Sequence, residues 1–160
     1  MEELFDGIYK DKNVLVTGHT GFKGSWLIQW LLMLGATVKG YSLEPDTTPS
    51  LFNVLSLSDQ ISHEIGDIRN ADQLKQSVES FSPDVVFHLA AQPLVRRSYR
   101  EPRLTYETNV MGTLNLYEAV RGCDSVRSLV SITTDKCYEN KEWVWGYREV
   151  DPMGGYDPYS

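Results

Sequence analysis

The sequence has few cysteines, no surplus of positive charge and no long hydrophobic run, and each shortage removes a class of function. Only two cysteines occur in 160 residues, Cys123 and Cys137, with neither CxxC spacing nor a histidine cluster beside them. That pattern specifies neither a disulfide framework nor a zinc site, so no metal is expected and both read as reduced thiols. For Cys137, a place near a functional site stays open through its neighbours. Fifteen Lys and Arg against twenty-two Asp and Glu give a formal net charge of -7. No basic run follows the phosphates of DNA or RNA, and nucleic acid is not an expected partner. The longest apolar stretch, Trp26 to Leu34, is interrupted by Gln29 and is about half the roughly 20 residues a bilayer-crossing helix needs. No membrane span is expected. The acidic opening, Met1 to Lys12, lacks the cationic and apolar pattern of a secretory leader, which makes a cytoplasmic location the default.

What the sequence does contain is a regular alternation, on a chain with enough apolar residues for one core of ordinary size. Asn13 to Thr17 is a β-branched apolar run that reads as a buried parallel strand, and it stops at Gly18. Phe22, Trp26, Leu27, Trp30, Leu31 and Leu34 recur at helical spacing until Gly35 supplies a stop. A second strand is expected over Thr37 to Leu43, a short helix over Leu51 to Leu57 and a third strand over Ile61 to Ile65. A helix over Ala71 to Phe81 is ended by Pro83, and a fourth strand covers Asp84 to Leu89. One long helix is expected over Pro102 to Val120, a fifth strand over Val126 to Thr133 and a loop over Tyr138 to Tyr159. Strands alternating with helices in this way predict an α/β fold with a doubly wound, mostly parallel sheet.

Between the first strand and the first helix lies Gly18-His19-Thr20-Gly21-Phe22-Lys23-Gly24, three glycines at GxxGxxG spacing. In this context glycine allows a tight turn and a close backbone approach, and the helix N-terminus offers free N–H groups to a dinucleotide pyrophosphate. Lys23 sits near that position or simply faces solvent. At the end of the second strand an acidic residue suits the ribose of NAD and a basic one the phosphate of NADP. Glu44 is the acidic candidate, with a solvated loop charge as the plain alternative. Lys39, the one basic residue from Thr37 to Ser50, lies too early in its strand to clamp a phosphate, so NAD is the expected cofactor. Asp67 is placed to accept from an adenine amino group, and Ile68 to pack on the ring. His88, inside an apolar strand, reads as a buried, hydrogen-bonded histidine rather than a general base. Arg96, Arg97 and Arg100 follow the fourth strand, where arginine forks would suit a substrate diphosphate and a solvated basic loop fits equally.

The segments TGHTGFKG, GDIR, HLAAQPLVRRSY, TNVMGT, TTDKCYENKEWVWGYRE and DPMGGYDPYS together resemble the N-terminal half of the CDP-glucose 4,6-dehydratase family of extended short-chain dehydrogenases/reductases. The resemblance implies a Rossmann domain, tightly held NAD, CDP-glucose as substrate and a homodimer. The implied reaction moves hydride from sugar C4, loses water across C5 and C6 and returns hydride to C6, giving CDP-4-dehydro-6-deoxyglucose. It adds Leu89, Ala90, Ala91, Gln92, Asn109, Thr133 and Tyr159 to the cofactor contacts, and Gln92, Arg96 and Arg97 to the substrate contacts. Tyr159 would take the C4 hydroxyl proton with Thr134 hydrogen-bonded there, Asp135 would protonate the departing C6 hydroxyl, and Lys136 would be the C5 base. Lys136 departs from the related dTDP-glucose dehydratases, which carry a glutamate at that place, and it can act as a base only while neutral. A noncatalytic NAD-binding module and another nucleotide-sugar dehydratase or epimerase remain as alternatives, although an epimerase has no use for the acid at Asp135. The family tyrosine belongs to a YxxxK motif of which this sequence shows only Tyr159 and Ser160. The expectation is therefore an incomplete Rossmann domain without the C-terminal substrate-binding domain and with little dehydratase activity alone.

Overall fold

Runs of Val and Leu flanked by glycine turns have no polar face to offer water, and they become the centre of a sheet. The computed structural model describes residues 4–160, so the first three residues of the acidic N-terminal segment lie outside it. In β1 (Asn13–Thr17), Val14, Leu15 and Val16 are fully buried, as a strand covered on both faces must be. α1 (Phe22–Met33) follows the glycine turn, and Gly35, at φ +83°, leads into β2 (Thr37–Ser42). The helix expected over 51–57 divides into α2 (Leu51–Val54), capped by the Ser50 hydroxyl, and a 3-10 turn (Leu57–Asp59), because Ser56 takes a left-handed conformation. β3 (Ser62–Ile65) is followed by α3 (Ala71–Phe81), whose bounds match the expectation. Asn70 caps its start, and left-handed Ser82 ends it ahead of Pro83.

Beyond β4 (Val85–His88) the sequence reading needs two corrections. The LVRRSYREP segment, for which the sequence leaves a solvated basic loop and a substrate-diphosphate site as equal alternatives, forms helix α4 (Val95–Arg100), with Ser98 buried and its hydroxyl returned to the Val95 carbonyl. Pro102 then opens a new helix at its first turn, where a missing N–H costs nothing. The helix expected as one piece over 102–120 comprises α5 (Pro102–Tyr106), a π-helical segment (Glu107–Gly112) and α6 (Thr113–Arg121). β5 (Ser128–Ser131) is shorter than the run 126–133, since only these four residues align with β4. The expected loop after it is pinned by a single antiparallel bridge, Tyr138 to Met153, and by Tyr138 stacked on Tyr147 at 5.3 Å.

The five strands form one parallel sheet in the order β3-β2-β1-β4-β5. Right-handed crossovers place α1 and α2 on one face, over Val14, Val16, Val38, Phe52 and Leu57. On the other face α3 and α6 pack together over Leu15, Tyr41, Leu74, Val86 and Leu116. The expected doubly wound architecture is thus present. Lys39, a strand lysine, is buried and paired with Glu64 at 2.9 Å while donating to the Ser77 carbonyl. No helix among the described residues is long and apolar enough to cross a membrane.

Candidate functional site

The strand order reverses between β1 and β4, and at such a switch point the loops beyond two neighbouring parallel strands separate to leave a crevice. Thr17, last in β1, stands in register with Tyr41 of β2 and His88 of β4. Gly18 follows at φ +72°, and a Cβ there would lie 2.7 Å from the Ala90 nitrogen and 2.8 Å from the Leu89 carbonyl carbon. A Cβ on Gly24 would strike the Gly18 carbonyl oxygen. The two loops therefore meet backbone to backbone, and α1 begins beside them with no side chain capping its free N–H groups. This cradle suits a dinucleotide pyrophosphate. Phe22 and Lys23, in the first turn of α1, are exposed toward solvent. The Thr20 hydroxyl turns the other way, to Ser42 Oγ and the Leu43 carbonyl at 2.9 Å each, and so binds the glycine loop to the end of β2. Glu44 lies one residue further on and is exposed.

His88 is the buried, hydrogen-bonded histidine expected from the sequence. Thr113 donates its hydroxyl hydrogen to the Asn109 carbonyl at 2.8 Å, so His88 Nε2, 2.9 Å from Thr113 Oγ1, is assigned as the donor to that hydroxyl oxygen. Nδ1 then accepts from Thr17 Oγ1 at 2.7 Å, and Thr17 Oγ1 in turn accepts from the Ala90 N–H at 3.3 Å. Burial holds this neutral imidazole down to a pKa of about 4. The chain of bonds runs from β1 through β4 to the long helix and fixes the Leu89-Ala90 turn. Asn109 extends it by accepting from the Gln92 N–H at 2.7 Å and donating to the Gln92 carbonyl at 3.0 Å. The Gln92 side chain is also committed inward, to Thr105 and Leu94. Gln92 and Asn109 thus support the crevice wall, and exposed Ala91 lies between Gln92 and the cradle.

The remaining sequence candidates separate into occupied and available groups. Ile68 is 3% exposed and belongs to the core, which limits any ring contact to its edge. The Asp67 carboxylate is gripped by Arg69, whose hydrogen bonds hold it below the ordinary aspartate range against the opposing effect of burial. On α4, Arg97 is paired with Glu101 at 3.1 Å, whereas Arg96 is exposed and has no ion pair among the described residues. Beyond β5, Thr133 is exposed, and Thr134 caps a 3-10 turn (Asp135–Cys137) by accepting from the Lys136 N–H at 3.1 Å. Lys136 and Asp135 pair at 3.3 Å on the surface, and the neighbouring ammonium keeps Asp135 below the usual carboxyl range. In this arrangement Asp135 is a carboxylate and not a proton donor. Tyr159 is half-buried, and no hydrogen bond joins its hydroxyl to Thr134, Asp135 or Lys136 among the described residues. Both cysteines are half-buried free thiols, and no cluster of three or more potential metal ligands occurs among the described residues.

Sequence reasoning missed four contributors. Arg69 was visible in GDIR, and a basic residue two positions after an aspartate can fold back on it, but its second partner, Glu107, is distant in sequence. Thr105 and Thr113 carried no local signal. His19, within the glycine loop, is fully buried, with Nε2 2.7 Å from His63 Nδ1 and Phe52 packed edge-on. Its Nδ1 has no formed hydrogen bond. Burial, followed by the neighbouring His63, lowers it to a pKa of about 4, while the Tyr41 carbonyl acts in the opposite sense.

Residues 15–160 match the GDP-mannose 4,6-dehydratase family model. Over 152 residues the chain is 58% identical to CDP-glucose 4,6-dehydratase of Salmonella typhimurium, a match covering 95% of this chain and 42% of that protein. It is 34% identical to CDP-paratose 2-epimerase of Salmonella typhi, covering 90% of this chain and 45% of the relative. Among solved structures, a UDP-glucose 4-epimerase of Thermus thermophilus in complex with NAD superposes with a TM-score of 0.80 at 28% identity, covering 92% of this chain and 46% of that one. The chain therefore spans less than half the length of the curated relatives it matches.

Proposed function

Because the chain belongs to the GDP-mannose 4,6-dehydratase family, we propose that it supplies the NAD-binding part of a 4,6-dehydratase acting on CDP-glucose. The observation that carries the substrate assignment is the 58% identity to a CDP-glucose 4,6-dehydratase across nearly the whole chain. The cofactor assignment is supported by the backbone cradle of Gly18, Gly24 and Ala90 at the switch point and by the NAD complex of a structural neighbour. NAD rather than NADP follows from the end of β2, where Glu44 is exposed and Lys39 is withdrawn into its pair with Glu64.

When bound, NAD supplies a hydride acceptor for sugar C4 and a hydride donor for C6. The chain's own contribution is to bind, orient and move protons. Gly18, Gly21 and the first turn of α1 receive the pyrophosphate, Asp67 accepts from the adenine amino group and Glu44 from the ribose. Tyr159 takes the C4 hydroxyl proton with Thr134 as its hydrogen-bond neighbour. A tyrosine serves as a base most readily with a cation beside it, which stabilises the phenolate form. When substrate enters, a proton passes from the Lys136 ammonium to the Asp135 carboxylate; Asp135 then delivers that proton to the C6 hydroxyl, which leaves as water, and the neutral Lys136 amine takes the C5 proton. Arg96, unpaired on α4, is the better placed of the two arginines for the substrate diphosphate. A homodimer in the cytoplasm is part of the same reading. The dimer is supported by Tyr106, Val110, Leu114 and Tyr117, which stand exposed along α5, the π-helical segment and α6.

Isothermal titration of this chain with NAD+, NADP+ and CDP-glucose tests the assignment. Saturable NAD+ binding that is tighter than NADP+ binding is expected; tighter NADP+ binding, or none for NAD+, overturns it. For the reaction itself, a 4-dehydro-6-deoxy sugar formed from CDP-glucose with no net NADH supports the dehydratase, and a C4 epimer formed instead refutes it.

A further inference from the structure

We propose that Arg69 is a positioning residue which, braced by Glu107 of the π-helical segment, aims the Asp67 carboxylate at the adenine and so sets adenine selectivity. This rests on the NAD reading above. Asp67 accepts from Arg69 through both oxygens, with Nε 3.1 Å from Oδ1 and 2.9 Å from Oδ2, Nη2 2.5 Å from Oδ2, and the Arg69 N–H 2.9 Å from Oδ1. A fork of this kind fixes the plane of a carboxylate as well as its distance. The Nε–H is shared between the two oxygens, so three hydrogens occupy three of the carboxylate's roughly four acceptor sites, and one site remains to accept from a ligand, in one orientation.

The fork is itself held from behind. Arg69 Nη1 lies 3.6 Å from Glu107 Oε2, while Arg103 Nε holds Glu107 Oε1 at 2.6 Å. Glu107 opens the π-helical segment, a wide turn of the sort that recurs at functional sites. The same stretch of helix grips the β3 loop at two more points. Asn115 donates to the Ile68 carbonyl at 3.0 Å and the Arg69 carbonyl at 3.3 Å, and Gly112 leaves room for Ile68, which a Cβ would meet at 2.6 Å. One residue pair away, Asn109 holds Gln92 in the β4 loop. Exposed ion pairs contribute little to stability. Contacts to one short loop from Glu107 and Gly112 of the π-helical segment and from Asn115 in the first turn of α6 therefore point to a requirement for orientation.

The test compares NAD+ with nicotinamide hypoxanthine dinucleotide, which replaces the adenine amino donor by a carbonyl. Their dissociation constants are measured by calorimetry for the unaltered chain, Arg69→Met and Arg69→Lys. The unaltered chain is expected to prefer NAD+ about tenfold, the worth of one hydrogen bond to a charged acceptor. Arg69→Met is expected to reduce that ratio to about twofold or less, and Arg69→Lys, which keeps the charge without the fork, to do nearly the same. A merely structural role would weaken both ligands together and leave the ratio unchanged. Retention of the full ratio in either folded variant overturns the proposal; the lysine variant preserves the test should the methionine variant fail to fold. Absence of any preference in the unaltered chain overturns it from the other side, by refuting the reading of Asp67 itself.

Discussion

Acidification should destabilise this protein through two particular histidines. His19 and His88 are 0% and 3% exposed and stay neutral down to about pH 4, where an unfolded histidine titrates near 6.5. A folded pKa below the unfolded one means that the unfolded chain takes up protons first. Stability is therefore complete above about pH 6.5 and is lost as pH falls toward 4. With those values, linkage gives a loss of about 2 kcal/mol for each histidine between about pH 7.5 and about pH 5, hence about 4 kcal/mol for the pair. That is a large share of the roughly 5–15 kcal/mol by which a domain is stable. Asp67 and Glu64, held below their ordinary values, add their own losses only at lower pH, so this window belongs to the imidazoles. Urea unfolding followed by tryptophan fluorescence at the two pH values measures it. With a slope of about 2 kcal/mol/M the midpoint should fall by about 2 M. In His88→Gln, which has lost one of the two groups, the fall should be about half as large. A midpoint that moves by less than about 0.5 M, or an undiminished fall in the variant, would refute the argument.

Two further perturbations follow. Gly18→Ala places a Cβ against the Leu89-Ala90 backbone at a positive φ, so a stability loss of about 2–4 kcal/mol is expected, with NAD+ affinity falling further than stability alone explains; a thermal melt and a titration separate the two. Lys39→Met strands Glu64 and the Ser77 carbonyl and should cost about 1–3 kcal/mol, since Glu64 keeps some contact with water. Adding Glu64→Leu should recover most of that loss in the same denaturation assay, and a double variant no more stable than the single one would count against an uncompensated charge as the cause.

The order of strands and helices was legible because each element depends on neighbours in sequence. Helical spacing from Phe22 to Leu34, the Ala71 to Phe81 helix and the Gly18 turn are all local patterns, and each appears where the residues place it. The two misread stretches have equally local causes. α4 is short and strongly basic, so that its charge obscured its helical pairing of Arg97 with Glu101. The π-helical segment changes the hydrogen-bond ladder without changing the apolar spacing that a helix displays.

Within the candidate site, residue type alone nominated the glycine cradle, the carboxylate at Asp67 and the arginines, and read His88 as buried. A backbone turn, a charge or an apolar setting is a property of a few consecutive residues, and those features needed nothing further. Which of those groups is free was decided only by tertiary structure. The Gln92 amide, the Thr20 hydroxyl and Ile68 all face inward because partners on other elements claim them. Arg97 is paired where Arg96 is not. The bond from Thr17 to His88 spans 71 residues, and that from His19 to His63 spans 44. Side chains so far apart in the chain meet only once the sheet has set strand order and register, and that meeting determines which lone pairs and hydrogens remain for a ligand.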